Sequence, residues 1–139
     1  MEYKRNGNSI VVRLFKNEEI ITALANLIEK ENILTASVIG IGATDDAIVG
    51  VYDLGRKTYD KVHLTGDMEI LSLVGNFTRK DGVPYIHLHA VLSTIDKVFG
   101  GHLNSANISI TSEIFINVID NIPVEREFNE SLGINLIKF

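Results

Sequence analysis

Three of the chain's four histidines fall within 16 residues: His87, His89 and His102. In Tyr85-Ile-His-Leu-His-Ala90 two of them alternate with apolar residues, a β-strand pattern in which side chains at i and i+2 share a face. His87 and His89 therefore point one way, and Leu88 and Ala90 the other. Where His102 points depends on register. If Tyr85–Ser93 and Val98–Leu103 are the arms of a hairpin with Thr94-Ile-Asp-Lys97 as a four-residue loop, Ser93 faces Val98 and His102 lands opposite His89. A two-residue loop would set His102 opposite Val91, on the same face. An odd loop, or a one-residue bulge at Gly100-Gly101, would turn it away. The even loops bring three imidazoles to ~5–7 Å of one another, close enough to share one cation. Zinc and similar metals take neutral imidazole, and three histidines with an open position is a catalytic rather than a sealed arrangement. The chain has no cysteine, so any metal is held by His, Asp or Glu.

Two carboxylates are candidates for proton transfer beside such an ion. Glu69 shares strand parity with Leu71 and Leu73, which sets a charge among apolar neighbours. Glu113 lies in the strand Asn107–Val118, on the face opposite Ile108, Ile110, Ile114, Ile116 and Val118. Each is read as a general acid/base or as a group supporting the metal ligands. The fourth histidine, His63, lies beside Lys61–Val62 and reads as a surface residue. Gly40-x-Gly42 lacks the third glycine of a dinucleotide loop and a following helix, so it reads as a close backbone approach rather than a phosphate site.

The elements that must position these groups are mostly strands. Ser9–Phe15 is β-rich. Asn17 is a suitable N-cap for a helix running to about Glu31, with Glu18-Glu19 in its first turn and Ile20, Ile21, Leu24, Leu27 and Ile28 on one face. Strands follow over Ala36–Ala43, Asp46–Leu54, Tyr59–Leu64, Asp67–Phe77 and Asn107–Val118, with a short terminal one in Ile134–Phe139. The expectation is one α+β domain spanning residues 1–139. It comprises a compact, mostly antiparallel, barrel-like sheet of about seven strands with one main helix packed on it.

With 13 basic and 18 acidic residues the net charge is −5. The basic residues are scattered, which argues against unaided tight binding to nucleic acid. No apolar run is long enough to span a bilayer and the first residues lack a signal-peptide core, so no membrane is involved and a cytoplasmic location is expected.

Placed in order, Gly66-Asp-Met-Glu-Ile-Leu-Ser-Leu-Val-Gly75, His87-Leu-His89, Gly100-Gly-His-Leu103 and Thr111-Ser-Glu113 resemble the PPC (plants and prokaryotes conserved) domain. Ile39–Ala43 and Arg126–Gly133 support the match, which spans nearly the whole chain. The resemblance implies a stand-alone homotrimer of the prokaryotic type, with a metal on His87, His89 and His102. It also implies a regulatory or interaction role, with DNA or a regulatory protein as partner. The AT-hook of plant members is missing, which weakens the DNA reading. The alternative is a zinc-dependent lyase or hydrolase acting on a small molecule, since the fold also resembles that of metal-dependent acetolactate decarboxylases.

Overall fold

The structure is a computed structural model that describes residues 1–119 and 122–139. Its elements are β1 (Glu2–Asn6), β2 (Ser9–Phe15), α1 (Ile20–Lys30), β3 (Ala36–Asp53), β4 (Thr58–Lys80), β5 (Val83–Ser93), β6 (Val98–Val118), β7 (Glu125–Asn129) and β8 (Ile134–Lys138). Strands β3, β4, β5 and β6 each pair antiparallel with two others of the set, so the sheet closes into a ring. β2 extends it beside the C-terminal half of β6, and β1 edges β2. The β7–β8 hairpin joins β4 through one parallel pairing, Arg79 with Glu125. This is the α+β architecture expected, with strand and one helix.

The ring closes because its strands are long and bent. Runs that read as separate strands, such as Ala36–Ala43 and Asp46–Leu54, are two halves of β3, and the same holds for β4 and β6. The breaks in hydrophobic alternation that suggested loops are bulges: register shifts fall at Gly40/Gly42 and Thr44/Asp46 against β4, and at Ile70/Ser72 between β4 and β5. A bulge adds a residue to one strand and sharpens its twist, and here that rolls one sheet around its own core. Gly42 sits at such a bend. A Cβ there would lie 2.6 Å from the Thr111 carbonyl oxygen, so the glycine pair serves close strand approach, as its sequence context suggested.

Inside the ring lie Leu73, Phe77, Leu88, Leu92, Ile108 and Ile114, all fully buried. α1 lays Ile20, Leu24, Leu27 and Ile28 against β5 and β6. Its start differs from the expected one. Glu19, not Asn17, is the N-cap, and its carboxylate accepts from the amides of Ile21 (2.9 Å) and Thr22 (2.8 Å). Asn17 instead adopts φ 70°, a left-handed conformation that asparagine tolerates, and its amide donates to the Ile108 carbonyl at 2.8 Å. The anionic cap still meets the positive end of the helix dipole. β1 and β7 were not anticipated because Glu-Tyr-Lys-Arg-Asn and Glu-Arg-Glu-Phe-Asn carry no apolar alternation; backbone pairing to β2 and β8 makes them strands.

Candidate metal centre

The β5–β6 hairpin sets the register of the histidines. Its loop is closed by Thr94, whose amide donates to the Lys97 carbonyl at 2.9 Å and whose hydroxyl accepts from the Lys97 amide at 3.2 Å. Ser93 then pairs with Val98, and His89 with His102. The four-residue loop is therefore the one that forms, and Gly100-Gly101 introduces no shift between β5 and β6. On the other side of β5, His87 faces Asn76 and His89 faces Val74 of β4. Leu88 and Ala90 are buried in the core, so the histidines point outward.

The three imidazoles converge. Their ring centroids lie 5.2 Å (His87–His89), 5.3 Å (His87–His102) and 5.7 Å (His89–His102) apart. One ligating nitrogen from each falls within 4.8 Å of the others. Metal–nitrogen bonds of about 2.0–2.1 Å in tetrahedral geometry space such nitrogens by roughly 3.4 Å, which small side-chain rotations supply. Nδ1 of His102 is buried with no hydrogen-bond partner. An unpaired buried nitrogen is costly, and a cation at the focus of the three rings, or a ligand carried by it, removes that cost. The donor set fits zinc or a similar divalent ion.

The electrostatics favour the ligating form. Burial, then the positive charge of His87, His89 and Lys61, lowers His102 to about 4. Burial, then Arg126 and His89, also lowers His87. Both rings are therefore neutral near pH 7, as ligation requires. A pH dependence follows for the metal-free chain. An unfolded imidazole protonates near 6.5, whereas folded His102 protonates only near 4. Between those values the unfolded state binds more protons, so stability is full above about 6.5 and falls as pH drops toward 4. Urea midpoints for the metal-free protein at pH 7 and pH 4.5 check this, and an His102→Gln variant should show a shallower fall.

Residues outside the histidine hairpin complete the surroundings. The Tyr59 ring packs on His102 at 4.9 Å and contacts Tyr52 edge-on at 5.1 Å. Arg126 of β7 lies 4.5 Å over the Tyr85 ring. It donates to Thr78 Oγ1 (2.8 Å), Asn76 Oδ1 (2.9 Å) and the Asn135 carbonyl (3.1 Å). Only the closed sheet, with the β7–β8 hairpin folded onto β4, brings Tyr59, Asn76 and Arg126 to a face carried by β5 and β6.

Glu69 and Glu113 do not join the cluster. Both are exposed, and they line one outer groove with Ile41, Leu71 and Ile110. Glu69 pairs with Ser93, four residues along β5 from His89, or about 13 Å at strand rise. Its parity with Leu73 is broken by the bulge at Ile70/Ser72, which leaves Leu71 outside with Glu69 and Leu73 inside. Glu113 pairs with Ile41 and Arg13. His63 is exposed beside Asp46, at 3.1 Å, and stands apart from the other three.

The profile of the Plants and Prokaryotes Conserved (PCC) domain matches residues 1–120. A metal-containing protein from Archaeoglobus fulgidus is similar in structure, with 33% identity and a TM-score of 0.91 over 99% of this chain and 97% of the other. A plant- and prokaryote-conserved (PPC) protein from Pyrococcus horikoshii is 32% identical, with a TM-score of 0.89 over 99% and 94%. A candidate DNA-binding protein from Bacteroides thetaiotaomicron is 30% identical, with a TM-score of 0.95 over 99% and 96%. No curated protein sequence matches the chain. With the profile covering most of its length and relatives superposing end to end, the chain belongs to the Plants and Prokaryotes Conserved domain family.

Proposed function

We propose that the chain is a metal-binding protein that holds one divalent ion, zinc, on His87, His89 and His102, and works as a homotrimer in a regulatory or interaction role. The convergence of three ligating nitrogens within 4.8 Å carries this reading. The metal-containing relative supports it. Metal analysis of the purified protein tests it: one zinc per chain is expected, and a chain that stays metal-free after incubation with excess zinc would end the proposal.

The homotrimer rests on an apolar outer face. Ile39, Ile41, Leu71, Ile110 and Phe115 are each more than half exposed, at 53–71%, and they line adjoining grooves of β3, β4 and β6. A contiguous apolar surface of this kind marks a protein contact, and copies of the chain are the occupant that the family resemblance implies. Ile41→Glu sets a charge in the middle of that face beside Glu69 and Glu113, and is expected to lower the solution mass to that of one chain. Light scattering checks this; a wild-type monomer would remove the trimer from the reading.

The Bacteroides relative is described as a candidate DNA-binding protein. For this chain a net charge of −5 opposes unaided binding, because phosphate neutralisation needs clustered cations. A partner protein fits the apolar and acidic surface better.

The second reading is a zinc-dependent lyase or hydrolase, favoured by the arginine and phenols around the histidines. When bound, the ion would supply Lewis-acid polarisation or a bound water of lowered pKa. Tyr59 and Arg126 would orient the substrate. Glu69 or Glu113 could move a proton at that site only if contributed by a neighbouring copy, given their position on the contact face.

A further inference from the structure

Cations flank the histidine cluster. Arg126 donates to Asn76, the register partner of His87, and Lys61 and His102 pair with Gly50 from its two sides, while among the described residues no carboxylate joins the three rings. Imidazole ligands carry no charge, so a divalent ion held by them keeps its full charge, and Arg126 adds to it. In a chain of net charge −5 this is a local reversal of sign.

Arg126 itself has no anionic partner. It is 7% exposed, and among the described residues no carboxylate lies within ion-pair distance of it. Its three hydrogen bonds go to neutral acceptors on Thr78, Asn76 and Asn135, which leaves two of the five N–H groups of a guanidinium. Asn76 sits opposite His87, and Tyr85, under the guanidinium, is two residues before His87 on the same strand face. The cation therefore lies alongside the imidazole trio. Leaving a buried guanidinium without counter-charge is costly, and a bound anion would remove that cost.

We infer that the histidine face and Arg126 together form a binding site for a small organic carboxylate. The planar guanidinium fork matches a planar carboxylate, and the Tyr59 and Tyr85 rings offer apolar walls to a short carbon body. The inference rests on the metal reading above, because the ion supplies half of the positive field. A different role for Arg126, fastening the β7–β8 hairpin to β4, needs the same hydrogen bonds but no ligand.

Cobalt-loaded protein separates the two roles, since the visible absorption of Co²⁺ reports changes at the ion independently of any activity. Titration with acetate is expected to give a saturable spectral change, with no response to acetamide. Arg126→Lys keeps the charge and loses the fork, and is expected to weaken acetate about fivefold or more at unchanged cobalt stoichiometry. Lys57→Met removes a support of the hairpin that does not touch Arg126, the bond from Lys57 to the Glu130 carbonyl at 2.9 Å, and is expected to leave acetate affinity within about twofold of the wild type. Failure to take up cobalt would defeat the metal reading and this inference with it. Cobalt uptake with no acetate response, with acetamide bound as well as acetate, with Arg126→Lys unchanged, or with Lys57→Met equally impaired would overturn the carboxylate site alone.

Discussion

His102→Ala is expected to abolish stoichiometric metal uptake, lowering affinity for zinc by about 100-fold or more. Loss of a group that merely supports a metal ligand already costs about 10–100-fold, and His102 is one of three histidines whose nitrogens lie within 4.8 Å of one another. The fold should persist, since the ring points outward while Leu103 carries the core contact at the next position. In the metal-free chain the substitution also removes a buried nitrogen that has no hydrogen-bond partner, so the apo form should be no less stable than the wild type. Two measurements decide it: metal content by mass spectrometry, and the rise in melting temperature on adding zinc. The wild type should show both and His102→Ala neither. His63→Ala, on a separate exposed site, should behave as the wild type. One tightly held ion per chain in His102→Ala would refute the assignment.

Gly75→Ala should destabilise the chain by on the order of 3 kcal/mol or more, at the upper end for an overpacking change. A Cβ at this position would lie 1.9 Å from the carbonyl oxygen of His87 and 2.9 Å from Cα of Leu88. Both are backbone atoms of a paired strand, so no side-chain rotation relieves the clash. The φ of Gly75 is not positive; the requirement is space between β4 and β5, not backbone freedom. Because β5 carries His87 and His89, pushing it away from β4 should weaken metal binding as well. Denaturant unfolding measures the first effect and zinc titration the second. A variant with wild-type stability would refute a close approach of β4 and β5 at Gly75.

The histidine trio was legible because it depends on rules that act locally. Alternation in Tyr85–Ala90 determines that His87 and His89 share a face, and the parity of the Thr94–Lys97 loop determines that His102 joins them. Hairpin register follows from loop length, so a short stretch of chain contains what is needed to place all three rings. The main helix was legible for a similar reason, from the spacing of Ile20, Leu24, Leu27 and Ile28, although its cap moved to Glu19 because Asn17 is drawn into the turn after β2 by its bond to Ile108.

Glu69 shows where such reasoning ends. Counting by twos put it on a face with Leu71 and Leu73, but a bulge resets the count between Ile70 and Ser72. Bulges in β3 likewise turned apparent strand breaks into bends of one strand. A bulge depends on how a strand meets its partner across the sheet, and that partner is far away in the chain.

From its amino acids alone, this protein determined the strand faces, the amphipathic helix, the acidic balance and the set of three imidazoles, all of which are consequences of spacing between near neighbours. Tertiary structure alone decided that Arg126, Tyr59 and Asn76 surround those imidazoles and that Glu69 and Glu113 stand apart from them. The physical reason is ring closure: joining β3, β4, β5 and β6 edge to edge brings remote residues onto one face, and no local periodicity encodes which ones meet.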